Sequence, residues 1–258
     1  ALALGGARLR AAAGGLAVPT PPHFDQNIGG ALAPASVWRD NGGGRIRLGA
    51  CLNGKPAVVV FGYYKCTQLC SVLERNVVDE LRQVAPSVGR DYTFIYLDID
   101  PTDGPMAARQ QRAAAVRGYA RGSSSTGWYY LTGNEDAIRA ATQDAGFNYR
   151  YLPAIHQYQH PMGLLVVTPD DRISRYFIGM SFPPAQMVKA LRRAALGKTG
   201  QPVLDVIIEC CLGGEITGRY GPLIWTCLEV AVSATLIAVG GMIGWLLWEE
   251  RRRRGMPS

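Results

Sequence analysis

The sequence predicts an α/β domain followed by a single C-terminal transmembrane helix. Two apolar runs, residues 57–61 and 92–99, are rich in β-branched and aromatic residues, as strands buried inside a sheet are. A helical pattern of apolar residues follows each run. Near the C-terminus, residues 230–248 form a stretch of 19 residues without a charge. At the rise of an α-helix, that stretch spans roughly 28 Å, about the hydrocarbon thickness of a bilayer.

Composition bounds the classes of function. The chain has 258 residues, of which 48% are hydrophobic, and this is ample for one core of ordinary size. The formal net charge is +7, and the four arginines of residues 251–254 supply more than half of it. No basic stripe interleaved with aromatic residues is present in the sequence. We therefore predict no nucleic-acid partner.

The order of elements follows from periodicity and turn residues. Four prolines in residues 18–36 predict an extended arm laid over the domain. The predicted strands cover residues 45–48, 57–61, 92–99, 127–131, 164–168 and 173–178. The predicted helices run from Cys70 to Pro86 and over residues 106–120, 135–145 (capped by Asn134) and 184–196. The order β-α-β-α-β-α-β-β-α resembles a thioredoxin-like fold with an inserted helix.

These patterns divide the chain into five segments. They are an N-terminal arm, the thioredoxin-like domain, a juxtamembrane segment, a transmembrane helix and a basic tail, covering residues 1–36, 37–200, 201–221, 222–248 and 249–258. The length of the charge-free stretch and the arginines that end it favour a membrane span over a buried core helix.

The flanks of the predicted span set its orientation. Trp225 lies near one end, and Trp245 and Trp248 lie near the other, where tryptophans anchor membrane helices. The arginine cluster at residues 251–254 belongs in the cytoplasm by the positive-inside rule. We therefore predict a single-pass protein of a bacterial-type inner (plasma) membrane, with its soluble domain on the periplasmic, extracytoplasmic side and its C-terminus in the cytoplasm.

The candidate site is a pair of cysteines at the first strand-to-helix junction. Gly62 ends the buried strand, and Cys66 and Cys70 follow four residues apart. Residues at i and i+4 lie on the same face of a helix, so the two thiols can share one ligand or form a reversible disulfide. Paired thiolates favour soft cations, Cu(I) above all, with zinc possible when two further ligands complete the shell.

A nitrogen ligand would complete a trigonal copper site. The chain has three histidines, His23, His156 and His160. His160 immediately precedes the predicted hairpin strand at 164–168, whose entry loop comes close to the dithiol in a thioredoxin-like sheet. We predict His160 as the ligand, and His23 and His156 as exposed surface residues.

Other readings of the dithiol remain open from the residues alone. In thiol-disulfide exchange, a helix N-terminus lowers the pKa of a thiol, and Lys65 beside Cys66 would lower it further. Thioredoxin-type oxidoreductases, however, have two residues between their cysteines, and here there are three. A peroxidase would need Arg, Gln or Trp partners that are not evident near Cys66. Two buried, inert cysteines are the remaining reading. The other cysteines, Cys51, Cys210, Cys211 and Cys227, show no regular spacing.

Three stretches of the sequence are similar to the Sco/SenC family. They are residues 55–70, the Asp-Ile-Asp-Pro turn at 98–101 and residues 157–176, within a resemblance that covers about residues 24–200. The family comprises membrane-anchored, thioredoxin-like copper proteins that help to load the dinuclear copper centre in subunit II of cytochrome c oxidase. The resemblance implies that Cys66, Cys70 and His160 are copper ligands. It also implies that Asp100, in the Asp-Pro turn, assists the site or caps the turn.

The sequence departs from the family pattern in three places. Thr67 follows the first cysteine where the family usually has proline, which changes the stiffness of the loop. The predicted anchor is C-terminal, whereas many members carry it at the N-terminus. Cys210 and Cys211 occupy a stretch in which one bacterial subgroup has a Cys-x-His-Tyr element, but the histidine is missing here. We therefore predict no additional metal or haem site there.

The predicted function is that of a membrane-anchored metallochaperone rather than an enzyme. It would deliver copper, as Cu(I) or Cu(II), to cytochrome c oxidase subunit II, or prepare the copper site of that subunit. Cys66 and Cys70 would supply thiolates and His160 an imidazole; no catalytic residue is predicted beyond the redox-capable cysteine pair. Two alternatives remain: a thiol-disulfide reductase of the oxidase's copper-site cysteines, and an accessory structural subunit of a respiratory membrane complex.

Overall fold

The structure, a computed structural model, describes residues 21–66, 70–121, 125–200 and 221–254. The strands are β1 (Val37–Arg39), β2 (Arg45–Arg47), β3 (Ala57–Gly62), β4 (Thr93–Asp98), β5 (Trp128–Leu131), β6 (Arg150–Leu152), β7 (Gln157–Gln159), β8 (Gly163–Val167) and β9 (Ile173–Ile178). The helices are a short 3₁₀ helix (Leu48–Leu52), α1 (Cys70–Gln83), α2 (Pro105–Tyr119), α3 (Glu135–Asp144), α4 (Pro184–Ala195) and α5 (Gly221–Arg254).

Some predicted features lie outside the described residues. They are residues 1–20 of the arm, Thr67, the juxtamembrane cysteines Cys210 and Cys211, and the last four residues of the tail. The backbone of Cys70 opens α1, but its side chain, like those of Trp225 and Cys227, is outside the described part.

A five-stranded mixed sheet organises the domain. The strand order is β5-β4-β3-β8-β9, with β4 parallel to both β3 and β5. Strand β8 runs antiparallel to β3, and β9 antiparallel to β8. Because β3 lies in the middle, its residues pair on both sides, and the loop that follows it starts from the centre of the sheet. The predicted α/β class is confirmed.

Both faces of the sheet are covered, which is why β3 reads as a continuous apolar run. All six residues of Ala57–Gly62 are buried. Val58 and Val60 pack in the cluster that contains the apolar residues of α1, α2 and α4. Val59 and Phe61 point to the other face, toward α3 and the 3₁₀ helix. Alternate residues of a strand face opposite sides, so a strand between two helical layers is apolar throughout.

The ends of two helices are fixed by side chains. Asn134 caps α3 as predicted, because its side-chain oxygen accepts the backbone N–H of Ala137 at 3.0 Å. At the C-terminal end of α1, the guanidinium of Arg121 donates to backbone carbonyls between Leu81 and Pro86. A cation at this end satisfies carbonyl groups that have no partner within the helix. The helix that follows the dithiol is thus held at its far end.

The sequence did not predict β1, the 3₁₀ helix, β6 and β7. Strands β6 and β7 pair antiparallel in a two-stranded hairpin that leads directly into His160. The turn of this hairpin contains His156, whose φ is +50°. Each of these strands has three residues, too few to show a period-2 pattern.

The described part of the arm hydrogen-bonds to the edge of the main sheet. Gly29 donates to the carbonyl of Ile173 in β9 at 2.8 Å, and Ile173 donates back to Gly30 at 2.9 Å. Five residues before Gly29, Phe24 packs edge-on against Phe147 and Tyr176, at 5.4 and 5.6 Å between ring centroids. The arm is therefore an integral part of the folded domain.

Helix α5 is 34 residues long and contains the candidate membrane span. The window Glu229–Leu246 has a mean hydropathy of 1.6, and none of it is buried. Apolar side chains such as Leu236 and Trp245 are 68% and 59% exposed. A core helix of a soluble protein would bury such residues, and α5 is therefore a candidate membrane span by its length and composition.

Candidate metal and dithiol site

The site lies where β3 and β4 end side by side. Gly62, the last residue of β3, pairs in register with Asp98, the last residue of β4. A Cβ atom at Gly62 would lie 2.1 Å from the hydroxyl oxygen of Tyr96, so a larger residue here would have to displace the Tyr96 ring. The chain then turns through Tyr63, Tyr64 and Lys65 to Cys66. Loops at the carboxyl ends of parallel strands are where α/β folds place their functional groups.

Cys66 is half-buried and disulfide-bonded. Its backbone N–H donates to the carbonyl of Tyr63 at 3.3 Å, closing a turn. Its side chain packs against the core cluster that contains Tyr63 and Phe147. The ligand role of Cys70, its predicted partner, remains a prediction because its side chain is not among those described.

His160 lies between β7 and β8 and is buried, with 8% of its surface exposed. Its Nδ1 is 3.0 Å from the carbonyl oxygen of Pro161. A carbonyl oxygen can only accept, so Nδ1 carries the proton and Nε2 is the nitrogen with the lone pair. A histidine that donates Nδ1–H to a backbone carbonyl has the orientation and tautomer of a metal ligand.

The surroundings of His160 keep the ring neutral. Burial lowers its pKa below the ordinary value of 6.5, and the hydrogen bond to Pro161 opposes that shift. The rings of Phe147 and Tyr63 pack against it, with centroids at 5.7 and 6.1 Å. A neutral imidazole is the form that binds a metal ion, so the ring needs no deprotonation before it acts as a ligand.

Tyr63 connects the cysteine segment with the histidine segment. Its ring contacts Tyr158 edge-on at 5.2 Å as well as His160. Its hydroxyl donates to Oε1 of Gln157 at 2.5 Å. The residue three positions before Cys66 thus touches the strand that leads into His160. This places the two predicted ligand segments in contact.

That Cys66, Cys70 and His160 together form a metal site remains a prediction. Among the side chains that the structure describes, no three His, Cys, Asp or Glu residues form a group that could hold a metal ion. The side chain of Cys70 lies outside that set, so the finding leaves the triad untested.

The other two histidines are exposed, as the sequence predicted. His23, in the arm, is 3.3 Å from a carboxylate oxygen of Asp25. His156 lies at the turn of the β6–β7 hairpin, with its Nδ1 3.0 Å from the hydroxyl of Tyr151. Each has a local polar partner, and neither shows the burial of His160.

Asp100 holds the turn that follows β4. Its Oδ1 accepts from both the backbone N–H and the hydroxyl of Thr102, at 2.9 and 2.7 Å. This is an Asx-type turn, in which a side-chain carboxylate takes the place of a backbone acceptor. The sequence left open whether Asp100 assists the site or caps the turn, and the contacts are those of a cap.

Asp103 is the site residue that the sequence did not reveal. One of its carboxylate oxygens accepts the backbone N–H of Tyr64 at 3.1 Å, and the other is 2.8 Å from Nζ of Lys65. Under the thiol-disulfide exchange hypothesis, Lys65 would lower the pKa of Cys66. In the structure its ammonium is paired with Asp103, which neutralises much of its charge. The available signal was a Lys and an Asp placed after two neighbouring parallel strands.

Asp98 is a fully buried carboxyl beneath the same loop. Its Oδ1 accepts the backbone N–H of Asp100 at 3.0 Å, and its Oδ2 has no hydrogen-bond partner within the described part of the chain. Burial raises the pKa of Asp98 to about 9, and the nearby charges of Asp103 and Asp100 add to that rise. Asp98 is therefore a neutral acid at pH 7.

Stacked tyrosines form the floor below Tyr64. Its ring stacks on Tyr96 at 5.3 Å between centroids, and Tyr96 stacks on Tyr130 at 5.4 Å. Glu74 of α1 accepts hydrogen bonds from the Tyr130 hydroxyl and from Gln111. Burial raises the pKa of Glu74. The contacts bind the start of α1 to the sheet and support the turn that carries Cys66 from below.

Comparison with protein-family models matches residues 41–196 to the family described as SCO1/SenC. The match covers more than half of the chain. The chain belongs to the SCO1/SenC family. The resemblance inferred from the cysteine, Asp-Pro and histidine stretches is thereby confirmed. A comparison with curated protein sequences finds no match.

Solved structures of similar proteins, Sco proteins among them, share the fold. A putative electron transfer protein from Aquifex aeolicus is 19% identical over 66% of this chain and 95% of its own, with a TM-score of 0.58. BsSco, a Sco-family cytochrome c oxidase assembly protein studied for a disulfide switch, is 17% identical over 67% and 98%, with a TM-score of 0.52. ScoI from Bradyrhizobium japonicum, solved with copper bound, is 19% identical over 65% and 99%, with a TM-score of 0.50. These likenesses confirm the thioredoxin-like fold that the sequence predicted.

Proposed function

We propose that this SCO1/SenC chain binds copper at Cys66, Cys70 and His160 and delivers it to subunit II of cytochrome c oxidase or prepares the copper site there. The observation that carries the proposal is the setting of His160. It is a buried, neutral imidazole whose Nδ1–H is anchored on the Pro161 carbonyl. Its ring contacts Tyr63, three residues before Cys66. Relatives with this fold have been solved with copper bound, which supports the choice of metal.

The chemistry of the donors fits copper as cargo. Thiolates of Cys66 and Cys70 suit Cu(I), and an imidazole nitrogen allows the ion to remain bound as Cu(II). In the disulfide form the sulfurs are not thiolates, so two electrons must first reduce the bond. The half-buried position of Cys66 leaves a path for exchange with a partner one ligand at a time.

The anchor supports a location outside the cytoplasm. Helix α5 has the length and composition of a membrane span. The arginines at residues 251–254 follow it directly, and positive residues remain on the cytoplasmic side. We place the domain on the extracytoplasmic face of a bacterial-type plasma membrane, where respiratory oxidases receive their copper.

The direct test is a Cu(I) titration of the reduced full-length chain in detergent, against a competing chelator. We expect one copper per chain for the wild type and for Cys51→Ser, because Cys51 is a buried free thiol of the 3₁₀ helix whose Sγ donates to the carbonyl of Arg47. The Cys66→Ser, Cys70→Ser double variant should bind none. Stoichiometric binding that survives in this double variant would refute the assignment.

The role of His160 has its own test. In His160→Ala, Cu(II) affinity should fall by about tenfold or more, because an imidazole ligand stabilises Cu(II) while two thiolates retain Cu(I). Cu(II) binding is followed by electron paramagnetic resonance and Cu(I) binding by competition. An equal loss of affinity for both oxidation states would contradict this role.

The pair Cys66 and Cys70, together with the likeness to BsSco, a relative described with a disulfide switch, supports a second candidate function, reduction of the copper-site cysteines of the oxidase. It predicts that the reduced, metal-free chain reduces a disulfide-bonded peptide of the subunit II copper loop and becomes oxidised at Cys66. Absence of this exchange, together with stoichiometric copper binding, would leave copper delivery as the function.

A further inference from the structure

The loops that follow β3 and β4 are joined by one carboxylate. Strands β3 and β4 are parallel neighbours that end in register at Gly62 and Asp98. The first loop carries Cys66, and the second contains the turn held by Asp100. Asp103, at the end of the second loop, reaches across to the first.

Each oxygen of Asp103 has its own polar neighbour, a hydrogen-bond donor for Oδ2 and an ammonium in an ion pair for Oδ1. Oδ2 accepts from the backbone N–H of Tyr64 at 3.1 Å, and Oδ1 lies 2.8 Å from Nζ of Lys65. The side chain of Asp103 has no exposed surface, whereas that of Lys65 is 61% exposed. A buried carboxylate is tolerated only where charged or polar groups compensate its lost hydration, and here one hydrogen bond and one ion pair do so.

The two donors are consecutive residues immediately before Cys66. One contact fixes the backbone of Tyr64, and the other fixes the side chain of Lys65. The N–H of Cys66 in turn donates to the carbonyl of Tyr63 at 3.3 Å. The four residues from Tyr63 to Cys66 thus form a hydrogen-bonded turn, and Asp103 holds its two central residues from the neighbouring loop.

The position of Asp103 is itself set by its loop. Its backbone N–H donates to the carbonyl of Asp100 at 3.2 Å. Asp100 fixes Thr102, whose hydroxyl oxygen accepts from Nζ of Lys65 at 3.2 Å. The contacts close a ring through both loops, so a shift of one loop must break a hydrogen bond in the other.

We propose that Asp103 is a positioning residue of the copper site, which fixes the turn carrying Cys66, and with it the sulfur, relative to His160. It acts through the Tyr64 N–H and the Lys65 ammonium, not by touching copper. The inference rests on the proposed copper function. It assigns to Asp103 a role that the resemblance had placed in the Asp-Pro turn itself.

The test compares Asp103→Asn with a matched control, Asp91→Asn. Asparagine keeps the shape of the side chain and one oxygen for the Tyr64 N–H, but loses the ion pair with Lys65. Asp91 also pairs with a neighbouring cation, Arg90 at 2.9 Å, and accepts a backbone N–H, that of Ser87 at 2.7 Å. Asp91 precedes β4 and so lies at the opposite end of the strand from Cys66 and Asp103.

The readout is the Cu(II) site of the full-length chain in detergent. In Asp103→Asn we expect a shifted thiolate-to-copper charge-transfer band, altered hyperfine splitting, and Cu(I) affinity weaker by about 10–100-fold, as for supporting residues of other metal sites. Asp91→Asn should keep the wild-type spectrum and affinity. A wild-type spectrum and affinity in Asp103→Asn, with only its melting temperature lowered, would overturn the proposal.

A second variant covers the case in which Asp103→Asn does not fold. Lys65→Met removes the cation from a mostly exposed side chain and should give a smaller spectral shift in the same direction. An unchanged spectrum there would also overturn the proposal. Failure of the proposed function is separately visible, because the wild type would then bind no stoichiometric copper, and the inference would fall with it.

Discussion

The two sides of the candidate site are built in different ways. On the cysteine side, the turn leading to Cys66 is held by the Asp103 carboxylate, which accepts from Tyr64 and pairs with Lys65, and the neutral acid Asp98 is buried nearby. On the histidine side, the rings of Phe147 and Tyr63 pack against His160, and its Nδ1 is hydrogen-bonded to the carbonyl of Pro161.

The cysteine side depends on directional hydrogen bonds and ion pairs, whereas the histidine side depends on packing that is spread over many contacts. Hydrogen bonds and ion pairs depend on single atoms, so an isosteric change such as Asp to Asn can remove one of them without altering packing. Aromatic packing is spread over many contacts and responds chiefly to lost volume. The cysteine side should therefore be sensitive to charge and pH, and the histidine side to cavities.

The largest expected effect comes from emptying the histidine side with Phe147→Ala. Phe147 is 4% exposed, and its ring stacks on Phe61 at 4.8 Å between centroids and packs at a tilt against His160 at 5.7 Å. Truncation of such a ring lowers the free energy of unfolding by about 3–5 kcal/mol. Urea unfolding of the detergent-solubilised chain measures this loss, and Cu(II) affinity should fall as well.

Phe94→Ala is the matched control for that cavity. Phe94 is fully buried in the opposite core, where it packs against Trp128 at 4.9 Å. A similar loss of stability with unchanged Cu(II) affinity is expected. If both variants weakened copper binding equally, support of His160 would not be local, and the contrast between the two sides would fail.

The cysteine side should respond to pH through Asp98. Its pKa is about 9 in the folded chain against an ordinary value of 3.8, because burial disfavours the charged form. Below about pH 4 both states are protonated and the group has no effect. Between about pH 4 and 9 the unfolded state releases a proton that the folded state keeps, so stability falls as pH rises, by about 1.4 kcal/mol per unit at most.

Asp98→Asn removes this dependence. Asparagine resembles the protonated acid, and its side-chain oxygen can still accept the N–H of Asp100. The variant should be close to wild type at pH 4 and more stable than wild type at pH 8, as measured by thermal unfolding at both values. An advantage that does not grow with pH would contradict a neutral Asp98.

The smallest expected effect lies at the contact between the two sides. Tyr63→Phe keeps the ring that touches His160 and Tyr158 but removes the hydroxyl that donates to Gln157. Loss of one hydrogen bond of this kind lowers stability by about 0.5–1.5 kcal/mol. Urea unfolding should show that loss with little change in Cu(I) affinity. A larger loss of copper than of stability would mean that this bond positions the ligands.

The sequence predicts the parts of the fold that depend on repeated patterns. Strand β3 and helix α1 are visible because many residues share one period, and the capping role of Asn134 is visible because its chemistry is local. His160 could be selected because it directly precedes a recognisable hairpin strand, and family resemblance supplied its role.

The remainder depends on contacts between distant positions. Strands β6 and β7 have three residues each, so their pairing leaves no periodic signal. Asp103 and Lys65 lie 38 positions apart, and only the parallel register of β3 and β4 brings them together. The neutral state of Asp98 arises from burial, which a local run of residues does not encode.

The arm has a consequence for solubility. Strand β9 is an edge of the five-stranded sheet, and an uncovered edge offers unpaired backbone groups to other chains. The carbonyl of Ile173 accepts from the N–H of Gly29, and the N–H of Ile173 donates to the carbonyl of Gly30, as in pairing with a neighbouring strand. The proline-rich segment thus blocks self-association along part of that edge, and a domain trimmed of its arm would expose a template for aggregation.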